Sequence, residues 1–277
     1  MTQSYGDGCV QARIAGITGV GIGCTGLMET AMRDFNFVIA AAMLIAVLAS
    51  ISPAVAQTET ASSSDCLNIS VNTEHAPQLN AAISICTRVL DRNNLSPKTR
   101  TELLVHRGVA HRNLGDLNKS LADLGAAQDL TPGDPQASRM LAWTYREMGR
   151  PAEAEKEYGR ALKLDPHPQA FLSRCFVRYD MKKLEDALVD CETAHGADPN
   201  ESSTYMTARL YRMLGRPSSA LPLLEGAIST PIESGRLYGL LAEIYESNGR
   251  PEDATRIRQQ GQRKFPKDKG LMSPPKR

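Results

Sequence analysis

The chain has 277 residues, enough for one large domain or two ordinary ones. Charged residues make up 23% and hydrophobic residues 42%, the mix of a soluble globular protein, and a net charge of +1 lacks the basic excess of a nucleic-acid binder. Aromatic residues are only 5% and alanine is abundant, which favours helices packed closely through small side chains.

Residues 1–31 are glycine-rich, weakly patterned and lie upstream of a second methionine. They read as a non-native N-terminal extension with Met32 as the first residue, or as a long natural leader. Met32 and Arg33 precede an apolar run, Phe37 to about Leu48, and Ala54-Val55-Ala56 follows it. The run has the length of a signal-peptide core and is short for a membrane span of roughly 20 residues. Small residues at 54 and 56 suit signal peptidase. Residues 32–56 are therefore expected to be a signal peptide cut after Ala56, giving a periplasmic or secreted protein; an uncleaved membrane anchor is the alternative. Residues 57–277 carry 30 Lys/Arg against 28 Asp/Glu, still nearly neutral. Residues 57–65 are polar and rich in Ser and Thr, and read as a flexible leader.

From residue 98 the sequence is periodic. Gly115, Gly149, Gly215 and Gly249 recur in one local context, and Lys182 fills the vacant slot, so the spacings are 34, 33, 33 and 34. Five residues further on stand Ser120, Ala154, Ala187, Ala220 and Ala254, and seven beyond those Ala127, Ala161, Ala194, Ala227 and Gly261. Each unit closes near a proline: Pro132, Pro166, Pro199, Pro231 and Pro266. Glycine ends a helix cheaply in a left-handed conformation, and Asp116, Pro151, Pro217 and Pro251 suit the first turn of the next helix. Small residues at the eighth position (Gly108, Ala142, Cys175, Ala208, Ala242) and at the twentieth let two helix backbones approach and interlock.

This pattern resembles the tetratricopeptide repeat, a pair of antiparallel helices A and B. The likeness is densest in Leu141, Ala142, Tyr145, Gly149, Ala154, Tyr158, Ala161 and Pro166, and again in Leu241, Ala242, Tyr245, Gly249, Ala254 and Pro266. It implies an all-α superhelical solenoid over 98–266, with five hairpins near 101–134, 135–167, 168–200, 201–234 and 235–266. Residues 66–97 read as a capping half-repeat. Its helix B would start at Pro77 and its degenerate helix A would lie near Asp65 to Glu74. Arg258 and Gly261 mark a C-terminal cap, and 267–277 read as a disordered tail.

Cys66, Cys86, Cys175 and Cys191 remain after cleavage, an even number that in an exported protein points to disulfides. In the repeat that this chain resembles, the eighth and twenty-fourth positions face each other. The resemblance therefore implies Cys175–Cys191, with Cys66–Cys86 stapling the cap. Reduced, buried thiols are the alternative reading. A zinc site at Cys175, Cys191 and His195 lacks a Cys-x-x-Cys pair and a fourth ligand, so no metal is expected.

The resemblance further implies a concave face built from positions 2, 5, 9, 12 and 13 of each helix A. The candidate partner-binding residues are Arg112, Arg139, Trp143, Arg146, Phe176, Tyr179, Tyr205, Arg209 and Arg212. Arginine grips carboxylates bidentately and aromatics bury area at low entropy cost, so the expected partner is a protein or peptide segment with acidic and apolar side chains. Some members of the family clamp acidic chaperone tails with lysine and asparagine. Val105, His106, Val109, Met140 and Ser173 stand at those positions here and argue against such a clamp. No catalytic motif stands out, and neither a catalytic residue nor a cofactor is expected. Gly19, Gly21 and Gly23 lack a Rossmann context, His106 and His111 are poorly spaced for joint ligation, and Glu153 to Glu157 read as a solvated helix face. The function expected is an exported interaction scaffold. The alternatives are a membrane-anchored scaffold in an envelope assembly complex and a thiol-redox protein using Cys175 and Cys191.

Overall fold

The computed structural model describes residues 61–268 and Leu271; the leader, the expected cleavage site and the apolar run before it lie outside these residues. The described residues form twelve helices in consecutive packed pairs. A short α1 (Ser63–Leu67) and α2 (Ala76–Leu90) form the cap. Five hairpins follow: α3 (Pro97–Asn113) with α4 (Leu117–Leu130), α5 (Pro135–Glu147) with α6 (Pro151–Leu164), α7 (Pro168–Asp180) with α8 (Leu184–Ala197), α9 (Glu201–Met213) with α10 (Pro217–Ala227), and α11 (Gly235–Ser247) with α12 (Pro251–Lys264). Each helix B also packs on the helix A that follows it. This is the all-α superhelix that the resemblance implies.

Local chemistry sets the boundaries. Proline opens α3, α5 and α7 as well as α6, α10 and α12, where its fixed φ is preorganised and its missing N–H is not needed. Asp116 lies one residue outside α4, as its N-cap. The A-to-B bends share one geometry: Gly115, Gly149, Gly215 and Gly249 have φ between 69° and 84°, and Lys182 has φ 64°. The amide after each reaches back to a carbonyl five residues earlier, as in Arg150 N to Tyr145 O and Lys183 N to Arg178 O, both 2.9 Å. The bend is therefore the same motif at all five sites, including the one without glycine.

The core runs along the seam between helices A and B. Ala142, Cys175, Ala208 and Ala242, and opposite them Ser120, Ala154, Ala187, Ala220 and Ala254, are fully buried. Cys175 is bonded to Cys191 inside the third hairpin, and Cys66 to Cys86 between α1 and α2. Two ion pairs repeat at the same helical positions: Arg107 to Asp123 and Arg174 to Asp190 each place two guanidinium nitrogens on one carboxylate, at 2.6–2.8 Å.

Both ends of the described chain are more ordered than composition implies. Ser62 and Asp65 form a reciprocal capping box that starts α1, so helix begins within the polar segment read as leader. The cap's helix A is only five residues long, and 68–75 continue as irregular chain. Beyond α12, Leu271 is 2% exposed, lies against Gly261 and joins the core cluster that holds Tyr238. The Gly261 substitution thus has a steric reason: a Cβ there would come within 2.8 Å of Tyr238.

Candidate binding groove

Helices α3, α5, α7, α9 and α11 present the face that carries the candidate residues, and a regular cross-hairpin register emerges on it. Position 12 of one helix A meets position 9 of the next. The Arg112 guanidinium lies 4.1 Å from the Trp143 ring and that of Arg146 lies 5.5 Å from Phe176. At the next step the order inverts: Tyr179 holds position 12 and Arg209 holds position 9, 5.0 Å apart. The last step is ionic, Arg212 Nη1 donating to Glu243 Oε2 at 2.6 Å. Arg236 adds a stack on Tyr205 at 4.0 Å. Cation–ring contacts of this kind contribute about 0.5–1 kcal/mol at exposed sites and about 2 when desolvated.

These pairs divide the arginines by availability. Arg112 is 4% exposed, with its Nε 3.8 Å from Glu147 in addition to the Trp143 stack, so its charge is committed internally. Arg146 is more open but sits 4.0 Å from Asp180. Arg139 differs from both. Among the described residues it makes no hydrogen bond, ion pair or ring contact, and its Nε is a buried polar atom without a partner. A buried unsatisfied donor on a cation is costly, on the order of 1–3 kcal/mol or more, unless something accepts from it.

Arg139 lines a hollow of about 350 Å³ between α5 and α7. Trp143 and Phe176 are the aromatic walls, and Tyr158 and Ser173 contribute hydroxyls. Trp143 is 44% exposed, unusual for the chain's single tryptophan. His167 closes the edge, its Nδ1 accepting from Gln169 N at 3.2 Å, which puts the ring proton on Nε2. A second hollow of about 740 Å³ lies on the other side of Trp143 and Met140, between α5, α3 and the irregular segment after α1.

The candidates thus fall into groups. Arg139, Trp143, Arg146 and Phe176 surround one hollow. Tyr179, Tyr205 and Arg209 form a separate stack further along, Arg209 lying within 6.0 Å of both rings. Arg212 is paired with Glu243. Val105 and Val109, expected on the concave face, are buried at 3% and 6%. Sequence reasoning missed the pairing register, although partners recur 30 or 31 residues apart, and it missed that Arg139 stands alone. Cys175 and Cys191 are fully buried, which gives a thiol-exchange partner no access to them. No helix among the described residues is long and apolar enough to cross a membrane.

Residues 135–168, the second hairpin, match the tetratricopeptide repeat family model. Among solved structures, MamA protein superposes with a TM-score of 0.57 at 18% identity, covering 65% of this chain and 100% of that one. MamA from residue 41 onward of Desulfovibrio magneticus RS-1 gives 0.56 at 16% identity, covering 61% and 97%. YrrB, described as a TPR protein with an unusual peptide-binding site, gives 0.55 at 14% identity, covering 61% and 89%. No curated protein matches the sequence. At these identities the likeness is one of fold: the chain has the architecture of tetratricopeptide-repeat proteins, and its second hairpin carries the sequence of that repeat.

Proposed function

We propose that the protein is an exported interaction scaffold that holds a segment of another protein in the groove lined by its A helices, with an acidic side chain of that segment on Arg139. The observation that carries this reading is the partnerless guanidinium in a hollow walled by Trp143 and Phe176. A carboxylate there would pair with the unpartnered guanidinium, and flanking apolar groups would cover the exposed tryptophan face. Two disulfides fit a compartment outside the cytoplasm and so support export. The family's use of this face for protein segments points the same way, as analogy.

The test is site-specific photocrosslinking in intact cells from position 143, with position 189 as control. Val189 is 60% exposed on helix B of the third hairpin. A discrete adduct from 143 that falls at least tenfold in an Arg139→Glu chain, with none from 189, is the expected result. Equal adducts from both positions, or indifference to Arg139→Glu, would remove the basis for the reading.

A further inference from the structure

The irregular segment after α1 lies along α3, at one edge of the larger hollow. Every other helix A of the stack runs 13–17 residues, whereas α1 stops after five. Asn68-Ile69-Ser70-Val71-Asn72-Thr73 then follows, a run of β-branched residues and asparagine that propagates helix poorly. Exposure along it alternates with a period of two: Ile69 half-buried, Ser70 exposed, Val71 buried, Asn72 exposed. That is the periodicity of an extended chain laid along a surface. Val71 enters a cluster with Leu79, Ala82, Val109 and Ala110, and Ile69 packs on the same cluster.

The main chain of this run is held as a ligand's would be. His106 Nε2 donates to Ile69 O at 2.9 Å, and Asn113 Nδ2 donates to Val71 O at 2.5 Å. The Asn113 amide is itself oriented, because its Oδ1 accepts from Arg112 Nε and Nη2 at 3.2 and 3.1 Å. His106 and Asn113 occupy positions 6 and 13 of their helix. The same positions hold Met140 and Glu147, Ser173 and Asp180, Met206 and Met213, and Leu240 and Ser247 in the other hairpins. The two donors are thus a feature of the first hairpin, fitted to carbonyls two residues apart.

We propose that the inner face of α3 is a recognition site for an extended peptide bearing β-branched residues at alternate positions, and that the protein fills it in cis with Ile69–Val71. The Cys66–Cys86 bond, two residues before Asn68, fixes the start of the run. A tethered occupant competes at an effective concentration in the millimolar range, so a free peptide is excluded while the tethered segment fits. Weakening the tethered segment opens the site. The site is separate from the Arg139 hollow and does not depend on it.

The full chain carrying Val71→Asp is titrated with a synthetic peptide of residues 67–75, LNISVNTEH, to millimolar concentration. Binding is read from the NMR shifts of the His106 ring and the Asn113 side-chain amide. We expect the wild-type peptide to bind the Val71→Asp chain at least tenfold more tightly than the wild-type chain, and a peptide with Asp at position 71 to bind neither. Arg139→Glu should leave both affinities unchanged, which separates a failure here from a failure of the groove reading. If Val71→Asp lowers helicity by circular dichroism, Val71→Gly takes its place. A helical variant chain whose His106 and Asn113 signals ignore the wild-type peptide, or respond equally to the Asp peptide, would overturn the proposal.

Discussion

Lys182 shows how far a single position can depart from the repeat without changing the fold. It adopts φ 64° where the four equivalent bends use glycine. At those glycines an added Cβ would meet nothing within 4 Å, so the penalty for a side chain is one of backbone conformation rather than of crowding. That penalty is about 1–2 kcal/mol. It is partly offset by the Lys182 ammonium over the Tyr179 ring at 5.6 Å, an exposed contact contributing about 0.5 kcal/mol. Lys182→Gly should therefore stabilise the chain by about 0.5–1.5 kcal/mol, and Gly149→Ala, with no ring contact to offset the conformational penalty, should destabilise it by about 1–2 kcal/mol. Urea midpoints at constant m-value decide both. Burial also sets a pH dependence at single residues. It pushes the imidazoles of His106, His111 and His195 below their usual 6.5. Below pH 6.5 the unfolded chain binds protons that the folded chain refuses, so stability is complete above that pH and falls as the solution is acidified towards the folded pKa values. A lower urea midpoint at pH 5.5 than at pH 7.5 is expected, and a flat profile would contradict it.

Within single hairpins, the third has a covalent link where the others rely on close packing. Cys175 and Cys191 are 16 residues apart, a loop whose closure in the unfolded chain is worth about 3 kcal/mol in the chain-entropy view. Cys175→Ala with Cys191→Ala should lower stability by about that much while leaving helicity intact, read as a drop in Tm alongside an unchanged far-ultraviolet spectrum. The hairpins were legible in sequence because their determinants are local. Gly149 ends one helix, Pro151 starts the next and Ala154 marks the seam, all within six residues. The burial of Arg112 was not legible, since it depends on Trp143 and Glu147 in the following hairpin. Nor was the reason for Gly261, because Tyr238 and Leu271 approach it from outside its own helix. The candidate groove was legible as a set of positions. Which of its arginines are spent on neighbours and which remains free is decided between hairpins, where sequence spacing alone carries little information.

For the stack as a whole, stability is the sum of what each hairpin holds and what each junction adds. The junctions here are not copies of one another. Arginine reaches forward to an aromatic ring at the first two, the ring reaches forward to arginine at the third, and the fourth joins arginine to a carboxylate. The third hairpin accepts a cation on one side through Phe176 and on the other through Tyr179, and so works as an adaptor between two unlike neighbours. Excising residues 168–200 would keep the helical rhythm intact yet bring Arg146 face to face with Arg209, two positive groups with no ring between them. The modules are therefore not interchangeable: their serial order is written into the chemistry of their edges, and a shuffled chain would keep its helices but repel itself at the seam.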